Sequence, residues 1–108
     1  MPRIMISDGE KRILPRKFAF HWGGGQIIEE VFVKCTLKSG GITESWEPTI
    51  QALQYDDKSI VLRFCVYNGK RLTRMPPLMD QQILRELSKR AEKTKLLREL
   101  LSIFNFNR

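Results

Sequence analysis

The spacing of apolar side chains changes once along this chain of 108 residues, near residue 80, and this change constrains the fold more than any other feature. Before it, apolar residues recur at every second position, which is the period of a half-buried strand. After it, they follow the period of an amphipathic helix. Several strands followed by one helix are typical of the α+β class, in which the helix covers one face of an antiparallel sheet. We therefore predict a strand-rich part over 3–75 and a C-terminal α-helix over about 80–104.

The strand-rich part divides into about five to seven strands at positions rich in glycine, proline and aspartate. Residues 3–14 are predicted to form a hairpin that turns at Asp8-Gly9. Further strands are predicted at 17–22, 27–38, 49–55, 58–67 and 70–75, with a less ordered stretch at 41–48. Short connections between successive strands favour an antiparallel β-meander with the helix packed on one face.

Glycine-containing turns separate these strands, because glycine adopts positive φ without steric cost. The triple glycine at 23–25 is predicted to break one strand and connect it to the next. Asn68-Gly69 is the strongest hairpin signal in the chain, since both residue types tolerate positive φ. A two-residue loop there predicts three directly opposed pairs: Tyr67 with Lys70, Cys65 with Leu72, and Arg63 with Arg74.

The helix is predicted to begin after Asp80, whose side chain can accept a hydrogen bond from a free amide of the first turn. The apolar positions within about a third of its circumference are expected to pack on the sheet: Ile83, Leu84, Leu87, Ala91, Thr94, Leu97 and Leu101. Leu96, Leu100 and Ile103 fall outside this stripe. Either the helix breaks near Lys93-Thr94, or a second surface is buried, which would imply a partner subunit.

Length and composition predict a single domain over 1–108, and a hydrophobic content of 42% is too high for a disordered chain. We find no signal-peptide pattern and no window near the roughly 18–20 apolar residues that a membrane-spanning helix requires. Cys35 and Cys65 lie in predicted strands, and we interpret them as half-buried thiols in a reducing compartment. The expectation is a cytoplasmic protein without membrane association.

Residues suited to catalysis or metal binding are sparse. His21 is the only histidine, and we interpret it as a surface or hydrogen-bonded structural residue. Glu29 and Glu30 would point to opposite faces of a regular strand, so they could not share a proton or a metal ion. Asp56-Asp57 suits a turn, because aspartate bonds its local backbone. The sequence therefore predicts no enzymatic activity, no cofactor and no metal.

Positive charge is concentrated in one segment of the chain, whose formal net charge is +7. Residues 27–57 hold six acids and two lysines, whereas residues 58–79 hold five basic residues and no acid. With the loop at Asn68-Gly69, one hairpin face would carry Arg63, Tyr67, Lys70 and Arg74, and Arg71 would point to the other. Arg63 opposite Arg74 would cost stability unless an anion relieved the repulsion.

We therefore expect a small basic module that binds nucleic acid through Arg63, Tyr67, Lys70, Arg71 and Arg74. Phosphates would supply the anion, and Tyr67 would stack on an unpaired base. Single-stranded nucleic acid is favoured over duplex, because no helix with a clean basic face is visible. If this hairpin does not bind, Arg12, Arg16 and Lys17 are the next candidates.

Two other interpretations stay open. The hairpin could be a solvated edge whose charge discourages aggregation. The protein could instead be an interaction module, expected as a homodimer, because the sheet face around Val61, Cys65 and Leu72 is partly apolar while one helix covers only one face. Dimerisation and nucleic-acid binding are compatible, since symmetric dimers double a weak basic surface.

Overall fold

Seven antiparallel strands and two helices make up residues 4–104, the part of the chain that a computed structural model describes. The strands are β1 (Ile4–Ser7), β2 (Arg16–Phe20), β3 (Gly23–Phe32), β4 (Lys34–Ser39), β5 (Ile42–Tyr55), β6 (Ile60–Asn68) and β7 (Arg71–Leu72). They are followed by α1 (Gln81–Ala91), α2 (Lys95–Leu101) and a 3-10 turn (Ser102–Phe104). The predicted α+β class with an antiparallel meander is confirmed. Both helices pack on the same face of the sheet.

The long strand β5 organises the sheet. One of its edges pairs with β4 and then with β3, in the same register across the junction, while its other edge pairs with β6. Farther along β3 the register shifts at a bulge between Ile27 and Glu29. Pro48 lies where the partner changes from β4 to β3, and its carbonyl accepts a hydrogen bond of 3.3 Å from the backbone N–H of Val33. The strand therefore continues through Pro48 although proline has no N–H to donate. The prediction that 41–48 is less ordered is wrong for 42–48.

The triple glycine at 23–25 belongs to β3 rather than to a connection, so the predicted break is wrong. The turn between β2 and β3 lies at His21-Trp22, and the glycines pair with Phe18, Ala19 and Phe20. A Cβ built on Gly25 would lie 2.0 Å from the carbonyl oxygen of Gln54. Glycine is needed here because two backbones approach closely.

The predicted hairpin at Asp8-Gly9 is not formed. Strand β1 pairs with β4 instead, with Ile6 opposite Cys35, and residues 8–15 have no regular secondary structure. A Cβ built on Gly9 would lie 3.0 Å from Oε2 of Glu47 and 3.1 Å from the ring of Phe32. Residues 8–15, the N-terminal loop hereafter, therefore lie directly against the sheet.

The hairpin between β6 and β7 turns one residue later than predicted, at Gly69-Lys70. Tyr67 is opposite Leu72, and Asn68 is opposite Arg71. The side-chain hydroxyl and the backbone N–H of Thr73 both donate to the carbonyl of Val66, each at 2.9 Å, which stabilises this register. The predicted pairing of Arg63 with Arg74 is therefore wrong: Arg63 is opposite Gln51 of β5, and Arg74 lies beyond β7.

The C-terminal region forms two helices rather than the single helix predicted over 80–104. The break falls near Lys93-Thr94, which confirms the first of the two alternatives given for Leu96 and Leu100. Asp80 caps α1 as predicted, accepting a hydrogen bond of 2.8 Å from the N–H of Ile83. The break turns Leu96 and Leu100 toward the same core as Leu97. These leucines therefore need no partner subunit, and the homodimer stays a prediction.

The core between helices and sheet is built from alternate strand positions and one stripe of the helices. Its buried members are Val31, Val33, Cys35, Ile50, Ala52, Ile83, Leu87, Ala91 and Leu97. Leu84 is an exception to the predicted stripe, because 48% of it is exposed. Neither helix in the described part of the chain has the length and apolar character needed to cross a membrane.

Candidate nucleic-acid interface

The face of the sheet opposite the helices, the open face hereafter, carries a row of polar side chains. Glu30, Gln51 and Arg63 lie side by side on β3, β5 and β6. Glu29 points to the opposite face, where its carboxylate contacts α2. The prediction that the two adjacent glutamates diverge is confirmed, and each carboxylate has a separate structural role.

Two arginines of the N-terminal region meet at the carboxylate of Glu30. Nη1 of Arg12 donates to it at 2.8 Å, and Arg16 donates through both terminal nitrogens at 3.0 and 2.8 Å. Nη2 of Arg12 also donates to Glu47 at 3.0 Å. The side chain of Glu30 is only 2% exposed, so an unpaired charge there would be costly. Both arginines are therefore neutralised inside the protein.

Aromatic rings complete the surroundings of Arg12. Its guanidinium carbon lies 3.6 Å from the ring centroid of Phe32 and 4.4 Å from that of Tyr67. Arginine suits such a site because its flat guanidinium packs on aromatic faces while donating in its own plane. These contacts anchor the N-terminal loop to the open face.

The ionisation of this cluster follows from its pairing. Burial by itself raises the pKa of Glu30, but the hydrogen bonds from Arg16 and Gln51 and the charges of both arginines outweigh it, so the pKa is lower than usual. The hydrogen bond to Glu30 raises the pKa of Arg16 above its ordinary value, against the opposing effect of burial. The cluster is therefore a set of fixed charges at neutral pH.

Gln51 extends the cluster across the sheet. Its Nε2 donates to Glu30 at 2.7 Å and to the hydroxyl of Tyr67 at 3.0 Å, while its Oε1 accepts from Nε of Arg63 at 2.7 Å. Tyr67 is only 7% exposed. The predicted stacking of a base on Tyr67 is incompatible with this burial, and the ring instead supports Arg12.

The two cysteines are free and buried on opposite sides of the sheet. Cys35 lies in the core under the helices, and burial raises the pKa of its thiol to about 11. The thiol of Cys65 lies 3.5 Å from Oε1 of Gln51, and burial again raises its pKa. Both groups are protonated at neutral pH, which makes them poor nucleophiles.

A cleft of about 660 Å³ opens between the N-terminal loop and the Gly69-Lys70 turn. Three lysines from separate segments line it: Lys11, Lys34 and Lys70. Within residues 4–104 none of these lysines forms a salt bridge. Two acidic residues also line the cleft: Glu10, and Glu47, whose carboxylate is bonded to Arg12. We call these three lysines and the space between them the basic cleft.

The residues predicted to bind nucleic acid do not share one surface. Lys70 lines the basic cleft, whereas Arg71 and Arg74 are exposed and have no acidic partner in the described part of the chain. Arg63 lies farther along the open face, 5.6 Å from the ring centroid of Phe20. Tyr67 lies between these two positions and lines the basic cleft with Lys70, although only 7% of it is exposed.

The sequence alone does not identify Lys11 and Lys34 as candidate binding residues, because only the path of the N-terminal loop brings them to Lys70. Their spacing in the sequence contains no signal of this proximity. Of the alternative candidates, Arg12 and Arg16 line the cleft but are paired with carboxylates, and Lys17 lies outside it. Lys17 alternates with Arg16 along β2, so the two side chains point to opposite faces.

Between residues 4 and 104 no three histidine, cysteine, aspartate or glutamate side chains are grouped closely enough to hold a metal ion. No protein-family model, curated protein or solved structure matches this chain significantly. Function is therefore inferred from the geometry of the site.

Proposed function

We propose that this protein is a non-enzymatic module that binds single-stranded nucleic acid, with phosphates held in the basic cleft. The observation that carries this proposal is that Lys11, Lys34 and Lys70 line one cleft and form no salt bridge in the part of the chain that the structure describes. Like charges brought together in a fold cost stability, and a bound phosphate backbone offsets that cost while releasing counterions.

The buried arginines support this function indirectly. Arg12 and Arg16 donate hydrogen bonds to the carboxylates of Glu30 and Glu47. They therefore hold the N-terminal loop in place and are not available to bind phosphate. Lys11 precedes Arg12 directly and is exposed. An anchored loop presents its lysine at lower entropic cost than a free loop would, which favours binding.

Single strands are favoured over duplex for two reasons. The cleft volume lies within the range of roughly 300–1,000 Å³ typical of clefts that bind small ligands, which is the size class of individual nucleotides. In addition, the exposed side of α1 mixes charges, with Lys89 bonded to Glu86 at 3.2 Å. It lacks the uniformly basic face with which a recognition helix enters the major groove.

The proposal is tested by titrating a labelled single strand of about 12 nucleotides, within the usual range of site sizes, at two salt concentrations. The double variant Lys11→Gln/Lys70→Gln should bind more weakly, and its salt slope should fall by about 1.4 units, because each lost phosphate contact on a single strand contributes about 0.7. Absence of binding by the wild type at low salt would refute the proposal.

The matched control is Lys93→Gln/Lys95→Gln. It removes the same charge from exposed positions around the start of α2, on the side of the sheet that faces away from the cleft. We expect this control to bind nearly as tightly as the wild type. Equal losses in both double variants would mean that net charge alone attracts the strand, and the basic cleft would not be the site.

A further inference from the structure

A row of four aromatic side chains lies at the β2 edge of the open face, outside the basic cleft. Phe18 and Phe20 are 5.5 Å apart between ring centroids, and Phe18 contacts Tyr55 edge-on at 5.1 Å. Phe20 and Trp22 are stacked, with centroids 4.7 Å apart and planes inclined by only 9°. We call Phe18, Phe20, Trp22 and Tyr55 the aromatic row.

The end of this row is held rigidly yet left open. Nε1 of Trp22 donates to the hydroxyl of Tyr55 at 3.3 Å, so a hydrogen bond as well as the stack on Phe20 orients the indole. The ring of His21 also contacts the indole edge-on, with centroids 4.5 Å apart. Trp22 nevertheless remains 64% exposed. An exposed aromatic ring in a fixed orientation is the arrangement that a stacking partner requires, since little rotational freedom remains to be lost.

The positions of β3 opposite two rings of the row are glycines. Phe18 is directly opposite Gly25, and Phe20 is directly opposite Gly23. Side chains at such opposed positions normally pack against each other. With glycine there, no side chain of β3 covers these rings from the opposed position.

A cation adjoins the row. The guanidinium carbon of Arg63 lies 5.6 Å from the ring centroid of Phe20, and Nε of Arg63 donates to Oε1 of Gln51 at 2.7 Å. No acidic side chain in the described residues forms a salt bridge with Arg63. Its remaining donors are thus free to meet a phosphate beside a base that stacks on the row.

The row and the basic cleft are connected through one polar network. Gln51 links Arg63 to the hydroxyl of Tyr67, and Arg16, which lines the cleft, donates to the same hydroxyl at 3.4 Å. Both surfaces therefore belong to the open face, one at each end of this network. A single strand that lies in the cleft can continue along the sheet to the aromatic row.

We propose that Trp22, supported by Phe20 and Tyr55, is a stacking platform for an unpaired base, with Arg63 contacting the adjacent phosphate. This inference rests on the proposed function, since the same strand occupies the basic cleft. The arrangement accepts any of the bases, because stacking uses the π-face that all of them have. The ligand is thus bound with little sequence preference.

The chain has two tryptophans. Trp22 reports on the platform, whereas Trp46 packs against the core on the helix side of the sheet and serves as the emitter remote from it. The variants Trp46→Phe and Trp22→Phe leave one emitter each. We titrate both with oligodeoxythymidylate and oligouridylate of about 12 nucleotides. Emission of Trp22 in Trp46→Phe should be strongly quenched on saturation, because a base in stacking contact quenches the indole.

Affinity separates this inference from the proposed function. Trp22→Ala should weaken binding about tenfold or more, since stacking of one base contributes roughly 5- to 150-fold. The matched control Phe104→Ala removes an aromatic side chain of similar exposure, 62%, from the 3-10 turn after α2, and should bind like the wild type. An abasic strand, which keeps the phosphates, should bind wild type and Trp22→Ala equally.

The outcomes are distinguishable. If the strand binds with the expected salt dependence, but Trp22→Ala binds as tightly as wild type and Trp22 emission is unchanged, the platform is wrong while the cleft stands. If no strand binds at low salt, the proposed function itself fails. Should Trp22→Ala fold poorly by circular dichroism, the quenching of Trp22 in Trp46→Phe decides the question alone.

Discussion

The carboxylate of Glu29 on β3 accepts a hydrogen bond of 2.8 Å from the backbone N–H of Leu97, 68 residues farther along the chain. Its second oxygen accepts from the N–H of Leu96 at 3.0 Å. Thr94, at the capping position of α2, makes no capping hydrogen bond with its side chain. A strand residue therefore caps this helix, placing a negative charge at the positive end of the helix dipole.

We predict that Glu29→Ala lowers the free energy of unfolding by about 0.5–2 kcal/mol, the range for loss of an N-terminal cap. Urea denaturation followed by circular dichroism measures this change. Glu92→Ala, an exposed position between the helices, is the control and should change the stability by less than about 0.5 kcal/mol. Equal stability of both variants would mean that Glu29 does not hold α2 on the sheet.

We predict that Glu30 contributes more to the free energy of unfolding than Glu29 does, because it pairs with Arg12 and Arg16 in a buried position. Glu30→Gln leaves both guanidinium groups without this charge, and we expect a loss of about 3–5 kcal/mol near neutral pH. Glu44→Gln, an exposed position on β5, is the control and should be nearly neutral. A loss below about 1 kcal/mol for Glu30→Gln would contradict a structural role for the pair.

The lowered pKa of Glu30 also makes the stability of the protein depend on pH. The folded protein lowers the pKa of Glu30, so the unfolded chain binds its proton more readily. The resulting stabilisation is complete above the unfolded value of about 4.3 and is lost as the pH falls through the lower folded value. The gap in unfolding free energy between wild type and Glu30→Gln should therefore shrink below about pH 4. A gap that stays constant down to about pH 2 would contradict the lowered pKa.

Arg74→Thr tests the register of the hairpin. If Arg74 faced Arg63, removing this charge would raise stability by roughly 0.2–1 kcal/mol. Because Arg74 lies beyond β7 and is exposed, we expect no change larger than the experimental error in thermal or urea denaturation. A clear gain in stability would show that β7 extends farther than Leu72 and pairs as the Asn68-Gly69 loop would require.

Gly25→Ala tests the close contact between β3 and β5. The added methyl group would meet the backbone at Gln54, which cannot move without displacing the strand, so we expect a loss of at least about 3 kcal/mol. Gly40→Ala is the comparison, because nothing lies within 4 Å of its added methyl group. There only the positive φ opposes the change, at a cost of about 1 kcal/mol. Similar unfolding midpoints for the two variants would refute the steric argument.

Several features of this protein follow from local sequence alone. Alternation along β3 and β4 correctly places Val31, Val33 and Cys35 on the core side. The same rule correctly separates Glu29 from Glu30, and Asp80 caps α1 as its position suggests. These features are predictable because side-chain direction and helix capping depend on residues a few positions apart.

Tertiary structure decided the rest, because it depends on contacts between distant segments. The helix breaks where Glu29 can cap α2, and β5 runs through Pro48 because two strands share its edge. The basic cleft exists because buried ion pairs anchor the N-terminal loop beside the Gly69-Lys70 turn. The sequence by itself determined which residues carry positive charge and which are aromatic. Only the tertiary structure decided which of the cations are buried in ion pairs and which stay exposed, because the sheet brings carboxylates from distant segments to some of them and not to others.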